Sequence, residues 1–339
     1  MHVVAVVLAG GRGTRMYPAS SEQRPKQFLS FGDGPSLLAR TVERASEVAD
    51  TVYVLTRPDY ADDIADHAPD AEVLVEPAGR DTGPALVYAA HEVREREADA
   101  GHDDTVLLNL PSDHYVEGDF AGVARRACEV ASETDALVTL GVEPDRAATG
   151  YGYIKPGEER DGYHDAAGFF EKPDAGAAER YRYNGFLWNA GMFAWTPDAF
   201  LDEARRGDLA QLVKGVEAGN AERAFALCEP VSVDYAVLED ARNVAVVPAT
   251  FDWDDLGAWD ALVRVFADAA DEGGNVVLGD ALTVDTENCV VAAGEGQHVS
   301  TVGVSDLTVA AYDGNVLVVP TREAQRVRDV VDRLSGDDA

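Results

Sequence analysis

Lysine is almost missing from this chain: only Lys26, Lys155, Lys172 and Lys214 occur among 339 residues. Cysteine is scarce as well. Cys128, Cys228 and Cys289 are odd in number and scattered, without the paired spacing of a zinc site or a disulfide framework. A reduced, cytoplasmic protein with inert thiols is the expectation. No apolar run reaches the roughly eighteen residues of a membrane span, which excludes a membrane partner of that kind. No basic segment precedes the run His2 to Leu8, so it is expected to be a first strand and not a signal peptide. Positive charge is short overall, with 28 Lys and Arg against 62 Asp and Glu and a formal net charge of -34. That balance argues against nucleic acid, because polyanions bind positive surface. The acids are spread along the chain and not gathered in a tail. This suits a halophilic protein, kept soluble in salt that screens its self-repulsion. In such a chain each retained lysine is a candidate for a role that only an ammonium fills.

What is present is a regular alternation. Residues 3–8, 51–56, 72–75, 105–110 and 136–142 read as strands, with helices predicted over 36–47, 83–99 and 119–133. That order predicts a parallel sheet with helices on both faces. The middle changes character, with short strands at 151–154, 168–171 and 192–195, helices at 199–206 and 209–217, and a strand at 243–248. These are expected to extend the sheet and build one wall of a substrate cleft. Apolar periodicity lapses over 267–274. Beyond it, six short strands between 275 and 319 and a helix over 322–334 predict a small β-helix-like module with a helical lid. The expected organisation is a catalytic domain over 1–267 and a small β-rich domain over 275–339.

The first strand opens into Gly10-Gly11-Arg12-Gly13-Thr14-Arg15. Three glycines allow close backbone approach, and their amides can cradle phosphate, with Arg12 and Arg15 adding charge. A plain tight turn is the alternative. No Gly-Lys-[Ser/Thr] closes a P-loop, and the glycine spacing is too tight for a dinucleotide fold. Lys26, in Pro25-Lys26-Gln27-Phe28, is near enough in sequence to return to the same phosphate site. Glu171-Lys172-Pro173 supplies a second rare lysine at a strand end. Such cations can hold together two substrates that carry repelling phosphates. Asp113 follows the strand 105–110, and Asp255 lies in Trp253-Asp254-Asp255-Leu256-Gly257. Their hard oxygens suit Mg²⁺, although a turn cap for Asp113 and acidic surface for Asp255 are equally open. The segment from Tyr183 to Gly191 combines aromatic and amide side chains. It reads as a loop that wraps a sugar, with Asn189 and Glu171 bonding ring hydroxyls, or as a buried aromatic turn.

In chain order these segments resemble the mannose-1-phosphate guanylyltransferases, also called GDP-mannose pyrophosphorylases. The likeness runs through Leu8 to Ser20, Pro25 to Phe28, Glu76 to Ala85 and Pro111 to His114. It continues through Thr149 to Ile154, Phe170 to Pro173, Trp188 to Phe193, Ser232 to Glu239 and Trp253 to Trp259. The resemblance implies a Rossmann-like mixed α/β sheet flanked by helices, with a small β-helix-like C-terminal domain. It implies that Leu8, Gly10, Gly11, Gly13, Thr14, Arg15, Arg80, Asp81, Thr82 and Asp113 bind the nucleotide. Gly152, Glu171, Lys172 and Asn189 would bind the sugar phosphate, and Asp113 and Asp255 would hold Mg²⁺. Arg15, Lys26, Asp113, Lys172 and Asp255 would form the catalytic set. Two positions depart from the family pattern: Tyr17 replaces a tryptophan and Asp81 an asparagine.

The implied reaction joins GTP and mannose 1-phosphate to give GDP-mannose and pyrophosphate. Another sugar 1-phosphate, such as glucose 1-phosphate, or another nucleoside triphosphate is the nearest alternative. A non-catalytic sugar-nucleotide sensor is the alternative from another class. No phosphomannose isomerase activity is expected, because the chain ends before the cupin-like domain of bifunctional relatives would fit. A homodimer is one assembly open to it. The acidic composition makes its own prediction. The thermal unfolding midpoint should rise steadily as KCl goes from dilute to molar, and a midpoint indifferent to salt would contradict the halophilic assignment.

Overall fold

The structure, a computed structural model, describes residues 1–11, 13–32 and 34–336. Arg12 therefore lies outside the described residues. The chain forms two compact units: residues 1–10, 41–112 and 116–253 make the first, and 11–40, 113–115 and 254–339 the second. Its strands are β1 (His2–Leu8), β2 (Thr51–Thr56), β3 (Glu72–Val75), β4 (Thr105–Pro111), β5 (Tyr115–Glu117), β6 (Leu137–Val142), β7 (Tyr153–Glu159), β8 (His164–Phe170), β9 (Leu187–Trp195), β10 (Val244–Pro248) and β11 (Asp252–Asp254). The C-terminal strands are β12 (Val276–Leu278), β13 (Ala281–Val284), β14 (Val290–Ala293), β15 (Val299–Val302), β16 (Leu307–Tyr312) and β17 (Asn315–Pro320).

The first unit holds a nine-stranded sheet in the order β3-β2-β1-β4-β9-β6-β10-β8-β7. Val3 to Val7 are buried without interruption, as a central parallel strand covered on both faces requires. β1 lies parallel to both β2 and β4, with Val4 opposite Thr51 and Leu107. The strand order turns about β1, since β2 and β3 lie to one side and β4 to the other. Open α/β sheets bind ligands beyond the carboxyl ends of strands at such a switch point, here where β1 runs into Gly10 and β4 into Ser112. β9 enters antiparallel between β4 and β6, pairing Ala194 with both Leu108 and Val138. The sheet is therefore mixed and Rossmann-like, as expected.

The helices are α1 (Leu37–Ser46), α2 (Ile64–His67), α3 (Thr82–Ala100), α4 (Phe120–Thr134), α5 (Ala175–Tyr183), α6 (Pro197–Ala204), α7 (Ala210–Glu217), α8 (Ala221–Leu227), α9 (Asp260–Val265) and α10 (Val327–Ser335). Local chemistry sets their starts. The Asp119 carboxylate accepts from the Gly122 amide at 2.9 Å, and Asp174 from Ala177 at 2.7 Å. α3 buries Leu86, Ala89, Ala90 and Val93 against the sheet and stops at Gly101, whose φ of 87° suits glycine.

One expectation changes here. The segment Tyr183 to Gly191 is not a sugar-wrapping loop: α5 ends at Tyr183, a short turn follows, and Leu187 already begins β9. Two of the three aromatic residues that suggested a loop are packing groups, while Tyr183 is exposed. Phe186 stacks on Tyr181 with ring centroids 4.7 Å apart, and Trp188 is buried.

In the second unit β12, β14 and β16 stack in parallel, as do β13 and β15, while β17 closes the larger sheet antiparallel to β16. Successive parallel turns of this kind make a β-helix-like coil. Its core does not belong to the coil alone. Met16, Ala19, Leu29 and Phe31 are buried in one cluster with Trp259, Leu262, Val290, Ala310 and Val327. The indole of Trp259 donates to the Tyr17 carbonyl at 2.9 Å. Met16, Ala19, Leu29 and Phe31, on either side of Lys26, are thus built into the same core as the C-terminal module.

Candidate active site

Within the second unit, Gly13 has φ 60°, and a methyl group at its Cα would overlap the Cβ of Lys26. Glycine is required there on two counts, backbone conformation and close approach. Ser20 fixes the turn by donating to the Gly13 carbonyl at 2.6 Å. Lys26 is the one lysine of the four that is buried, with 3% of its surface exposed. Its ammonium donates to Asp113 Oδ2 at 2.9 Å and to the Asp255 carbonyl at 2.5 Å. Burial works to raise the Asp113 pKa, but the Lys26 ammonium and His114 outweigh it and hold the carboxyl below the usual range. Asp255 Oδ1 accepts from the Gly257 amide at 3.0 Å. Its neighbour Asp254 is buried and clamped by Arg264 at 2.8 Å, and Leu256 adopts φ 47°. A bulky residue in that region marks a turn held by its surroundings. Of the remaining predicted residues in this unit, Gly11 has open space about its Cα and Thr14 starts a short 3₁₀ turn. Arg15 ends in a hydrogen bond, donating to Gln325 Oε1 at 3.1 Å.

In the first unit, half-buried Leu8 ends β1, and Gly10 leaves room for the carboxylate of Glu76. Glu76 is 4% exposed and one of its oxygens has no hydrogen-bond partner among the described residues. Burial raises its pKa to about 7, against the lowering pull of Arg57. Beside it stands the loop Arg80-Asp81-Thr82. Asp81 caps α3, accepting from the Thr82 amide at 2.7 Å, with φ 69° and ψ 179°. That region is essentially reserved for glycine, so the loop is strained and has to be held. Its anchors are the Val231 amide on the Arg80 carbonyl at 3.2 Å, the Val233 amide on Thr82 Oγ1 at 3.0 Å, and Arg80 Nε on the Phe225 carbonyl at 3.2 Å.

Gly152, Glu171, Lys172 and Asn189 come together in the same unit. Glu171 packs its carboxylate where a side chain on Gly152 would sit, and Gly152 accepts from the Asn189 amide at 2.9 Å. Glu171 pairs with the Lys172 ammonium at 2.7 Å. Lys172 has φ 43°, and although burial opposes it, Glu171 and Asp234 hold its pKa above the usual value. Asn189 Oδ1 accepts from Thr139 at 2.9 Å and from the Gly191 amide at 3.0 Å, while Nδ2 donates to Asp234 at 2.8 Å. Only one N–H of that amide is left for a ligand. A buried acid, a cation and an oriented amide on small-residue backbone can bind a phosphorylated polyol.

Residues 4–272 match the nucleotidyl transferase family, and 279–334 match the MannoseP isomerase/GMP-like beta-helix domain. The chain is 34% identical over 357 residues to mannose-1-phosphate guanylyltransferase of Escherichia coli K12, spanning 98% of this chain and 73% of that one. The chain belongs to the mannose-1-phosphate guanylyltransferase family. It is a nucleotidylyltransferase. The alginate biosynthesis protein AlgA of Pseudomonas putida is 32% identical over 354 residues, with 98% and 71% covered. A crystal structure described as mannose-1-phosphate geranyltransferase from Thermus thermophilus matches with a TM-score of 0.90 at 38% identity, covering 99% of this chain and 100% of that one.

Two residues of the enzyme went unassigned in the sequence. Asp234, in a short π-helical turn over 234–238, is pushed up to about pKa 6 by burial and by Glu171. The motif around it was visible, but its pairing with Asn189 spans 45 positions and leaves no local trace. Glu76 stood in a family motif too, yet only its burial sets it apart.

Glu76 makes a pH prediction. Its pKa is raised from 4.5 to about 7, so its contribution to stability is greatest below about 4.5 and is lost as pH rises through about 7. Replacing Glu76→Gln should flatten that decline and leave the variant more stable than wild type at pH 8, by on the order of 2 kcal/mol in chemical unfolding. Parallel pH profiles for the two proteins would contradict this. Gly13→Ala should lower stability by roughly 1–3 kcal/mol and reduce turnover, because both φ and the approach of Lys26 are violated. Unchanged turnover in that variant would show that the turn need not hold Lys26.

Proposed function

We propose that the enzyme transfers GMP from GTP to α-D-mannose 1-phosphate, releasing GDP-mannose and pyrophosphate. In this proposal residues 1–267 are the catalytic domain and 275–339 the small C-terminal domain. The observation that carries it is the buried Lys26 ammonium held between Asp113 and Asp255. A net charge of -34 repels both substrates, so the chain must supply local positive charge where phosphates meet.

The family is generally magnesium-dependent. Asp113 and Asp255 fit that need: both offer hard oxygens, and one ammonium spans the Asp113 carboxylate and the Asp255 backbone. A divalent cation held there would neutralise phosphate charge on the nucleotide. The remaining roles fall to side chains and backbone. Gly10, Gly11 and Gly13 let the backbone approach the triphosphate, with Arg15 and Thr14 beside it. Arg80, Asp81 and Thr82 form the nucleotide's other contact. Lys26 stabilises charge that builds up on the transferring phosphorus. Lys172 orients the sugar phosphate, and Glu171, Gly152 and Asn189 receive the sugar, with Asp234 fixing the Asn189 amide. The sugar-phosphate oxygen is already ionised near neutral pH, so its in-line attack on the α-phosphorus needs positioning more than a base. The bond formed joins that oxygen to the α-phosphorus, and the bond broken releases pyrophosphate.

A substrate matrix tests this, reading pyrophosphate release for mannose, glucose and N-acetylglucosamine 1-phosphates against GTP, ATP, UTP and dTTP. Mannose 1-phosphate with GTP should give the clear maximum, and a maximum elsewhere would reassign the substrates. In the same assay Asp255→Asn should lose about 10²-fold or more of turnover. Its folding should hold, because the contact to Lys26 uses the backbone carbonyl.

A further inference from the structure

We propose that His2, Glu97 and His102 form a site for one transition-metal cation of the Zn²⁺ class, independent of the transfer reaction. His2 opens β1, whose other end at Leu8 is about 20 Å away at the rise of an extended strand. Glu97 lies near the end of α3, and His102 follows the Gly101 turn. Their ligand atoms all lie within 4.8 Å of one another.

Glu97 Oε2 is the hub, 3.1 Å from His2 Nε2 and 2.8 Å from His102 Nδ1. With metal–ligand bonds of about 2.0–2.1 Å, tetrahedral ligands stand roughly 3.3 Å apart. The observed spacings are slightly tighter than that. His2 Nε2 is shielded from solvent and has no hydrogen-bond partner of good geometry among the described residues. A buried nitrogen left in that state beside a carboxylate calls for a cation or a shared proton. Two imidazoles with one carboxylate are a borderline donor set, suited to Zn²⁺, Co²⁺ or Ni²⁺ and poorly matched to Mg²⁺.

The surroundings also fit. His2 Nδ1 stands 3.4 Å from Asp50 Oδ2, which itself accepts from the Val3 amide at 2.9 Å. A carboxylate behind a ligating imidazole orients the ring and strengthens it as a ligand. The His102 amide returns to the Glu97 carbonyl at 2.8 Å, so these two ligands are set by one closed turn. The Glu97 side chain is 7% exposed and His102 43%, which gives a buried floor and an open entrance. The imidazole rings stack with centroids 3.9 Å apart at 27°, so sharing a metal requires the exposed His102 ring to turn out of the stack. A bound ion would tie the start of β1 to the end of α3.

The test uses the full chain, stripped with chelator and kept in excess Mg²⁺ to fill oxygen-only sites. Titration with Co²⁺ should give a saturable visible absorption of a four-coordinate nitrogen-ligated ion, at one per chain, displaced by one equivalent of Zn²⁺. His102→Ala and Glu97→Gln should each weaken binding at least tenfold and lose the band. Turnover with Mg²⁺ should be unchanged in His102→Ala, which alters an exposed side chain. Zn²⁺ should raise the unfolding midpoint of the wild type and not of His102→Ala. No saturable band, as for a cluster held by protons alone, would overturn the proposal. So would a band or a midpoint shift that survives both substitutions.

Discussion

A buried ammonium in a strongly acidic chain is the constraint around which the candidate site is organised. Lys26 can be buried only if its charge is matched and its donors are used, since an unmatched buried charge costs several kcal/mol. Asp113 supplies the charge and the Asp255 carbonyl a second acceptor. Each of those groups is itself held by its neighbours. Gly13 gives up its side chain so that the Lys26 backbone can pass, and Arg264 locks Asp254 so that the next residue projects from a rigid turn. The same pair that satisfies Lys26 offers hard oxygens to a divalent ion.

Three of the eight non-glycine residues with positive φ among the described residues lie at or beside proposed ligand positions. Asp81 occupies a conformation that costs little only to glycine, and Lys172 and Leu256 both have positive φ. Such conformations cost on the order of 1–3 kcal/mol each and persist only where surrounding contacts outweigh them. At Asp81 those contacts are the α3 cap and three bonds from the 225–233 segment to the Arg80-Asp81-Thr82 loop. At Lys172 the ion pair to buried Glu171 supplies part of it. The result is a set of functional groups that need little rearrangement before a ligand arrives.

The alternation of apolar runs and helical stripes was enough to place most elements of the first sheet and nearly every strand of the C-terminal coil. Burial on both faces and tight turns leave a local imprint on composition. Glycine spacing and the scarcity of lysine singled out Gly13, Lys26 and Lys172 on similar grounds. Of the two readings open for Tyr183 to Gly191, the sugar-wrapping loop fails, because aromatic and amide residues look alike in a loop and in a buried strand. What separates them is the pairing of β9 with β4 and β6, which is set by partners far along the chain.

The sequence by itself determined the chemistry available: which cations exist, which glycines free the backbone, and which acids carry hard oxygens. Its periodicity also marked the alternating strands and helices of the parallel part of the sheet, while the antiparallel entry of β9 came from long-range pairing. Only the tertiary structure decided which groups meet. Lys26 reaches Asp113 across 87 residues and Asp255 across 229, and Asn189 is fixed by Asp234 across 45. It likewise placed Met16, Ala19, Leu29 and Phe31 in one core with Trp259 and the β-helix-like coil. Contacts at such separations are selected by packing and burial, which act on distance in space and leave no spacing rule in the chain.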